Sequence, residues 1–343
     1  MLGVDLAGAE SVLANLWAMI SDPFVIGPAS RLYYLNFVVF MVCGALVFWL
    51  RRDEREAHGG PLRFTFPVRM YLSQSSLVDL KIYIANHCVS FKAAGVRLLS
   101  TTFVAGTVAV LLEPVIGGWS IGGDAFWATV VCAILIAMAN DLTTYVTHRI
   151  THENKALWPF HKVHHSAEVL TPLTVYRKHP IYGLLNSCVQ PLVAGPVIGV
   201  TALIFDQTGS WRILGMNAIY MIFNFVGANL RHSHIWIDFG PVFSRIFVSP
   251  AMHQVHHSID PKHYDRNYGE VFALWDWMFG TLYIPKEREN LTFGISDVPG
   301  GAPVQPHATL KDAYLEPIRS FAQEVTRPRG NAEPAAQPAG AQI

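Results

Sequence analysis

The chain has 343 residues, of which 51% are hydrophobic and only 15% charged, against roughly 25% charged in ordinary soluble domains. Its mean hydropathy is +0.29, a balance that excludes a disordered chain and indicates a bilayer. Lysine plus arginine (25) equals aspartate plus glutamate (25), so no basic excess points to nucleic acid.

In chain order, the first basic residue is Arg31, so residues 1–30 lack the charged start of a secretory signal and read as an interfacial amphipathic segment. Tyr33 to Leu50 is the first predicted span, closed by Arg51, Arg52 and Arg55. Its length corresponds to about 27 Å of helix, close to the hydrocarbon thickness. A weaker second span covers Leu98 to Ile116, with Glu113 and Pro114 interrupting its far end. Residues 31–124 thus hold two spans and a polar loop. The third span, Ala125 to Thr147, follows a glycine-rich turn. The fourth, Ile181 to Phe205, carries Pro191 and Pro196 and is expected to kink. The fifth runs from about Ile213 to Leu230.

With the loop after the first span placed in the cytoplasm, 23 of the 25 basic residues fall on that side, leaving Arg31 and Arg212 outside. The segment 270–285 is apolar and aromatic but too short to span. It is expected to pack on the histidine-bearing region or lie at the interface. Residues 286–325 read as a linker followed by an amphipathic helix, with Leu310, Tyr314, Ile318, Phe321 and Val325 at helical spacing. The Pro/Ala/Gly-rich tail 326–343 reads as disordered. The four cysteines (Cys43, Cys88, Cys132, Cys188) are widely spaced, form no CxxC, and read as core residues rather than disulfides or zinc ligands.

Of the 15 histidines, 12 lie between His148 and His263, and the predicted topology puts them all on one side of the membrane. Three clusters stand out: His148 and His152 as HxxxH, then His161, His164 and His165 as HxxHH, then His253, His256 and His257 as a second HxxHH. On a helix, residues at i, i+3 and i+4 share a face, so each cluster aims its imidazoles at one point. Asp141, Tyr145, His148 and His152 form one stripe at the end of the third span. Imidazole suits zinc, copper, iron and nickel. Eight such ligands exceed what one six-coordinate ion can use, which implies two ions. Structural zinc favours cysteine and four ligands, unlike this set. A dinuclear iron centre beside a bilayer can turn O₂ against an unactivated C–H bond, the only kind that lipid chains and ring systems offer. Asp141, Glu153, Asp260, Asp265 and Asn267 are candidates to hold the imidazole tautomers; of these, Asp141, Glu153 and Asn267 are taken as catalytic.

The stretches DLTTYVTHRITHENKALWPFHKVHHSAE, RKHP, RHSH and SPAMHQVHHSIDPKHYDRNYGEVFALWDWMFGT resemble the fatty acid hydroxylase superfamily, also called the sterol desaturase family. The resemblance covers about residues 125–285. It implies an all-α, polytopic membrane protein of about five spans with a cytosolic helical cap carrying a histidine-rich dimetal site. It also implies non-haem di-iron chemistry with O₂, and the eight cluster histidines as metal ligands. The HRxxHE start with Glu153 is similar to alkylglycerol monooxygenase and sterol enzymes. Many members carry HSN where this chain has His232-Ser233-His234, so His232 matches a further ligand and His234 departs from the pattern. His179, in an Arg-x-His-Pro context, is a further ligand candidate. His263 reads as a loop residue near the site, and His58, His87 and His307 as ordinary.

The expected activity is O₂-dependent hydroxylation or desaturation of a lipid: sterol- or hopanoid-like, fatty acyl or ether-linked. No fused cytochrome b5-like domain is visible, so a separate ferredoxin- or cytochrome-like donor is expected to supply electrons. A homodimer is compatible with the family. Two other classes compete. A bis-histidine haem protein would pair single histidines within spans four and five, which carry none. A metal transporter would place ligands near the bilayer midplane, whereas only Asp141 and Glu113 are ionisable inside these spans, both near their ends.

Overall fold

A computed structural model describes residues 34–88, 100–117, 121, 126–205 and 227–327. The expected interfacial segment 1–30, the side chain of His87, residues 213–226 of the fifth predicted span and the tail beyond 327 lie outside the described residues. Among the described residues the protein is helical, with no strand and only isolated bridges such as Phe247 with Phe272. The all-α reading holds.

Helix α1 is Tyr34–Leu50, and its buried residues Asn36, Phe40, Gly44 and Phe48 recur every fourth position. That stripe packs on Phe64, Leu230 and Ile235. Helix α2 is Gln74–Cys88. Helix α3, Thr101–Ile116, starts at Ser100, whose hydroxyl accepts the Phe103 N–H. It runs through Pro114 and ends only at Gly117, so the proline predicted to interrupt it does not break the helix. Helix α4 spans Phe126–Glu153, and α6 spans Pro180–Phe205 without a break at Pro191 or Pro196.

Of the five predicted spans, α4 and α6 are long and apolar enough to cross a membrane; α1 and α3 are apolar but shorter. At 28 residues, α4 is on the order of 42 Å long, more than a hydrocarbon core needs. The excess turns are those carrying His148 and His152.

Helix α6 packs against both α3 and α4. Gly195 and Gly199, one turn apart, make the α3 contact close. A Cβ at Gly195 would lie 2.8 Å from Val104 Cγ1, and one at Gly199 would strike the Ala105 carbonyl. Small residues at this spacing let apolar helix backbones approach where lipid offers no hydrophobic drive. The outward faces carry large apolar side chains, among them Val110, Leu111, Val115, Phe126 and Leu192.

The histidine-bearing helices α5 (Trp158–His165) and α7 (Pro250–His256) lie beyond the apolar stretch of α4. The C-terminal helix α8, Leu310–Thr326, is capped by Thr309 and docks on α5 and α2. Leu310 and Tyr314 pack on Val78, Ile82 and Val163, and Phe321 lies against Phe160 at 5.5 Å between ring centroids. Ile318 and Val325 of the predicted apolar face are exposed, and Ala313 and Pro317 are buried instead.

Arg177 ties these parts together. Fully buried, it pairs with Asp79 of α2 at 2.9 Å. It also donates to the Val163 carbonyl at 2.8 Å, the Ser166 hydroxyl at 2.9 Å and the His307 carbonyl at 3.1 Å. His307, read from sequence as ordinary, is fully buried and bridges Ser166 and Glu316, each at 2.9 Å.

Candidate metal centre

Helix α4 brings His148 and His152 to one face, and a turn at Asn154 folds the chain back. Its side-chain oxygen accepts the N–H groups of Ala156 (2.9 Å) and Leu157 (3.3 Å). Pro159 sits in the first turn of α5, whose eight residues then present His161, His164 and His165. Helix α7 opens with Ser249, whose hydroxyl accepts the Met252 N–H, followed by Pro250. All seven of its residues are buried, and His257 is its C-cap. His232 ends the short helix Asn229–Arg231.

These elements gather nine imidazoles into two groups whose ring nitrogens lie within 4.8 Å of one another: His148, His152, His161, His165 and His256, then His164, His232, His253 and His257. Each group could hold a metal ion. His165 and His257 stack between the groups at 4.5 Å.

The geometry within each group fits a metal site better than a satisfied hydrogen-bonded cluster. In the second group Nε2 atoms follow one another at 3.2 Å (His164–His232), 3.0 Å (His232–His253) and 3.3 Å (His253–His257). In the first, His165 Nε2 is 3.1 Å from both His152 and His256. A neutral Nε2 either donates or accepts, so a run of facing Nε2 atoms cannot be satisfied by hydrogen bonds alone. Nitrogens bound at about 2.1 Å to one ion are spaced about 3 Å apart when adjacent. His161 goes further: it is buried with neither ring nitrogen hydrogen-bonded, and His148 Nε2 is unbonded too. Orphaned buried polar atoms are costly unless something else occupies them.

Burial sets the charge state. Desolvation holds the His161, His164, His165, His253 and His257 imidazoles well below the ordinary range, neighbouring imidazoles adding to the effect. His256 is lowered to about 4 by desolvation, partly offset by its bond to the Arg266 carbonyl. The rings are neutral at neutral pH, the form that binds metal.

Two tautomers are fixed from one loop. His148 Nδ1 donates to the Tyr268 carbonyl and His256 Nδ1 to the Arg266 carbonyl, both at 2.7 Å. The backbone is left-handed at Asp265, just before these carbonyls, and at Asn267, between them, both with φ of 58°, a conformation that Asp and Asn tolerate best after glycine. Asn267 pins the loop. Its amide donates to the Met252 (3.1 Å) and Tyr283 (2.8 Å) carbonyls, and its oxygen accepts the Tyr283 N–H at 2.7 Å. Asp276 accepts the next two N–H groups, of Tyr268 and Gly269, each at 2.8 Å.

The sequence-predicted side chains divide accordingly. The eight cluster histidines and His232 come together. Among the catalytic candidates, Asp141 accepts the N–H groups of Val271 (2.9 Å) and Phe272 (3.0 Å) and the Trp275 indole (3.0 Å). It ties α4 to the 270–285 segment, which therefore packs on the site through Trp275. Glu153 is paired with Arg149 at 2.7 Å on the surface, and Asn267 is the loop anchor just described. Neither carboxylate belongs to either imidazole group. Asp260 caps a short turn by accepting the Lys262 N–H.

His179 stands apart, its Nε2 bonded to the Tyr314 carbonyl at 3.2 Å and its Nδ1 accepting the Ile181 N–H. His234 is bonded to the Phe64 carbonyl at 2.6 Å, and His263 to Glu289 at 3.1 Å. Sequence reasoning missed Tyr182, stacked on His161 at 4.9 Å, and Trp158, 4.9 Å from His152. It also missed the Arg266 and Tyr268 carbonyls, for which the NYG and WDxxFGT strings were the only signal.

Comparison with known proteins adds the family. The fatty acid hydroxylase family model matches residues 133–281. The chain is 27% identical to an alkylglycerol monooxygenase of Caenorhabditis elegans over 61% of its own length and 38% of that protein. It is 26% identical to an ornithine lipid hydroxylase of Rhizobium tropici over 55% of its length and 53% of the relative. With a lathosterol oxidase of Mus musculus the identity is 24%, over 53% and 51% of the two chains. The chain thus spans about half or less of these relatives. No solved structure matches it. All nine imidazoles of the two groups fall within the matched segment, so residues 133–281 carry a fatty acid hydroxylase domain.

Proposed function

We propose that the chain is an integral membrane, non-haem di-iron oxidoreductase that uses O₂ to hydroxylate or desaturate an unactivated C–H bond in a lipid: sterol- or hopanoid-like, fatty acyl or ether-linked. The observation that carries this reading is the convergence of nine imidazoles, eight of them buried, into two groups, with both nitrogens of His161 unsatisfied. His148, His152, His161, His165 and His256 would hold one iron, and His164, His232, His253 and His257 the other. Bound iron would supply the activation of O₂ against the C–H bond. In hydroxylation one oxygen atom enters that bond and the other leaves as water, with two protons and two electrons from a separate ferredoxin- or cytochrome-like donor.

The protein's own part is positional. The Arg266 and Tyr268 carbonyls hold the His256 and His148 rings with Nε2 facing inward. Asn267 holds that loop, Asp141 fixes the 270–285 segment to α4, and Glu153 steadies the last turn of α4 through Arg149. His179 is left outside the ligand set by its bond to Tyr314. The basic-residue asymmetry supports a multi-pass chain of about five spans with the site in a cytosolic cap, from a 125–285 domain preceded by two spans. Dimerisation is compatible with this arrangement.

The test is a comparative lipidome of a host expressing wild type or His164→Ala, with iron measured in the purified protein. Two irons per chain are expected, with a lipid gaining one oxygen or losing two hydrogens only in the wild type. Free aldehydes with loss of ether lipids would mark ether cleavage. Iron-free protein, or a lipid change that survives His164→Ala, overturns the reading.

A further inference from the structure

Two cavities lined by described residues reach the imidazole groups, and they have no lining residue in common. The larger is a surface cleft of about 430 Å³. It exposes His152, His165 and His256, three of the five members of the first group. Lys155, Tyr264, Asp265 and Asp297 on its walls are all exposed, so the cleft opens to solvent. His152 is also the one imidazole of the nine that is only half-buried. The other cavity is about 40 Å³ and touches His148 and His161 of the first group and His164, His232 and His253 of the second. A space of that size holds a few waters at most. Tyr182, stacked on His161 at 4.9 Å, is a wall both of this cavity and of the wider cleft at the start of α6. All four imidazoles of the second group are buried, and none of them lines the 430 Å³ cleft.

A bound ion leaves by giving up its ligands to water or to an incoming donor, and that exchange needs room beside it. A site without such room releases its ion when the fold opens locally. Resting on the two-ion reading above, we propose that the 430 Å³ cleft is the exchange port of the first metal position, and that the second position is closed. The ion on His148, His152, His161, His165 and His256 is loaded and lost through the cleft. The ion on His164, His232, His253 and His257 is locked in. Ligand count alone favours the opposite order, five imidazoles against four, so the order of release separates access from affinity.

The test is a release time course. Full-length protein in detergent is loaded anaerobically with iron(II) and mixed with excess ferrozine, and the iron set free is followed by absorbance. Two phases of one iron per chain each are expected, the first at least about tenfold faster because the second waits on local opening. Ser296 and Asp297 line the cleft and belong to neither imidazole group. Ser296→Trp and Asp297→Trp, each compared with wild type by melting temperature, fill the cleft. They are expected to slow the first phase several-fold and to leave the second unchanged, an effect that a weakened fold would not produce. Release of both irons in a single phase overturns the proposal, and so does a first phase that neither filled variant slows. A chain that takes up fewer than two irons overturns the two-ion reading and the port with it. Two irons that leave together overturn the port alone.

Discussion

Arg177 and Asp79 meet at 2.9 Å with neither side chain exposed, and the guanidinium also serves three acceptors from α5 and the His307 segment. Removing one partner of such a pair strands a buried charge, so Arg177→Ala is expected to cost about 3–5 kcal/mol, read as a fall in melting temperature of the detergent-solubilised protein. Arg177→Lys should not restore it, because an ammonium cannot reproduce the planar fork that reaches these acceptors. Asn267 gives a different signature. Asn267→Ala removes three hydrogen bonds and leaves a left-handed alanine, a loss of about 2–4 kcal/mol confined to the loop that orients His148 and His256. Iron per chain should fall while the helical circular dichroism stays unchanged; undiminished iron would deny the loop its orienting part. At this scale the imidazoles were legible because their spacing is itself the helical code. The groups that orient them were not, since a backbone carbonyl leaves no mark on the residue that carries it. His179 had the right chemistry and the wrong direction: Pro180 starts α6 immediately after it, and its ring turns to Tyr314.

Among the elements, hydropathy located α1, α3, α4 and α6 to within a few residues of their observed ends. What it could not give was how they pack, because apolar composition looks the same on a lipid-facing and a helix-facing surface. Gly195 and Gly199 carry that information, through the α3 atoms a Cβ would strike. Gly199→Leu is expected to push α3 from α6 and cost about 1–3 kcal/mol, while Gly183→Ala, in open space, should be near neutral by the same thermal measurement. Equal effects of the two would mean that the close approach is unimportant. The α8 face was read with the correct period but partly wrong members: Ala313 packs on Val78, Ile82 and Val163, and Pro317 is buried too. Small buried residues are invisible to a search for large apolar ones.

For the whole molecule, the burial of so many imidazoles fixes the direction of pH dependence. In an unfolded chain they take up protons near 6.5; in the fold His256 does so at about 4 and the others are also held low. The unfolded state therefore binds more protons across that window, and metal-free protein loses stability as pH falls from 6.5 towards 4, regaining nothing below it. Protons compete with metal in the same direction. Iron retained after dialysis at stepped pH should drop within that window, and full retention at pH 4 would contradict neutral imidazole ligation. The overall arrangement was legible as far as composition and spacing reach: an apolar, helical protein whose clustered histidines come together.

The two imidazole groups draw their members from helices far apart along the chain, and α7 contributes to both: His256 to one, His253 and His257 to the other. The first group is complete only when the ribosome has made residue 256 and the second only at residue 257, by which point α4 and α6 have already been synthesised. Closure of both groups is accordingly a late event in biosynthesis: a nascent chain stalled before α7 would hold four of the five imidazoles of the first group and two of the four of the second, with nothing to close them.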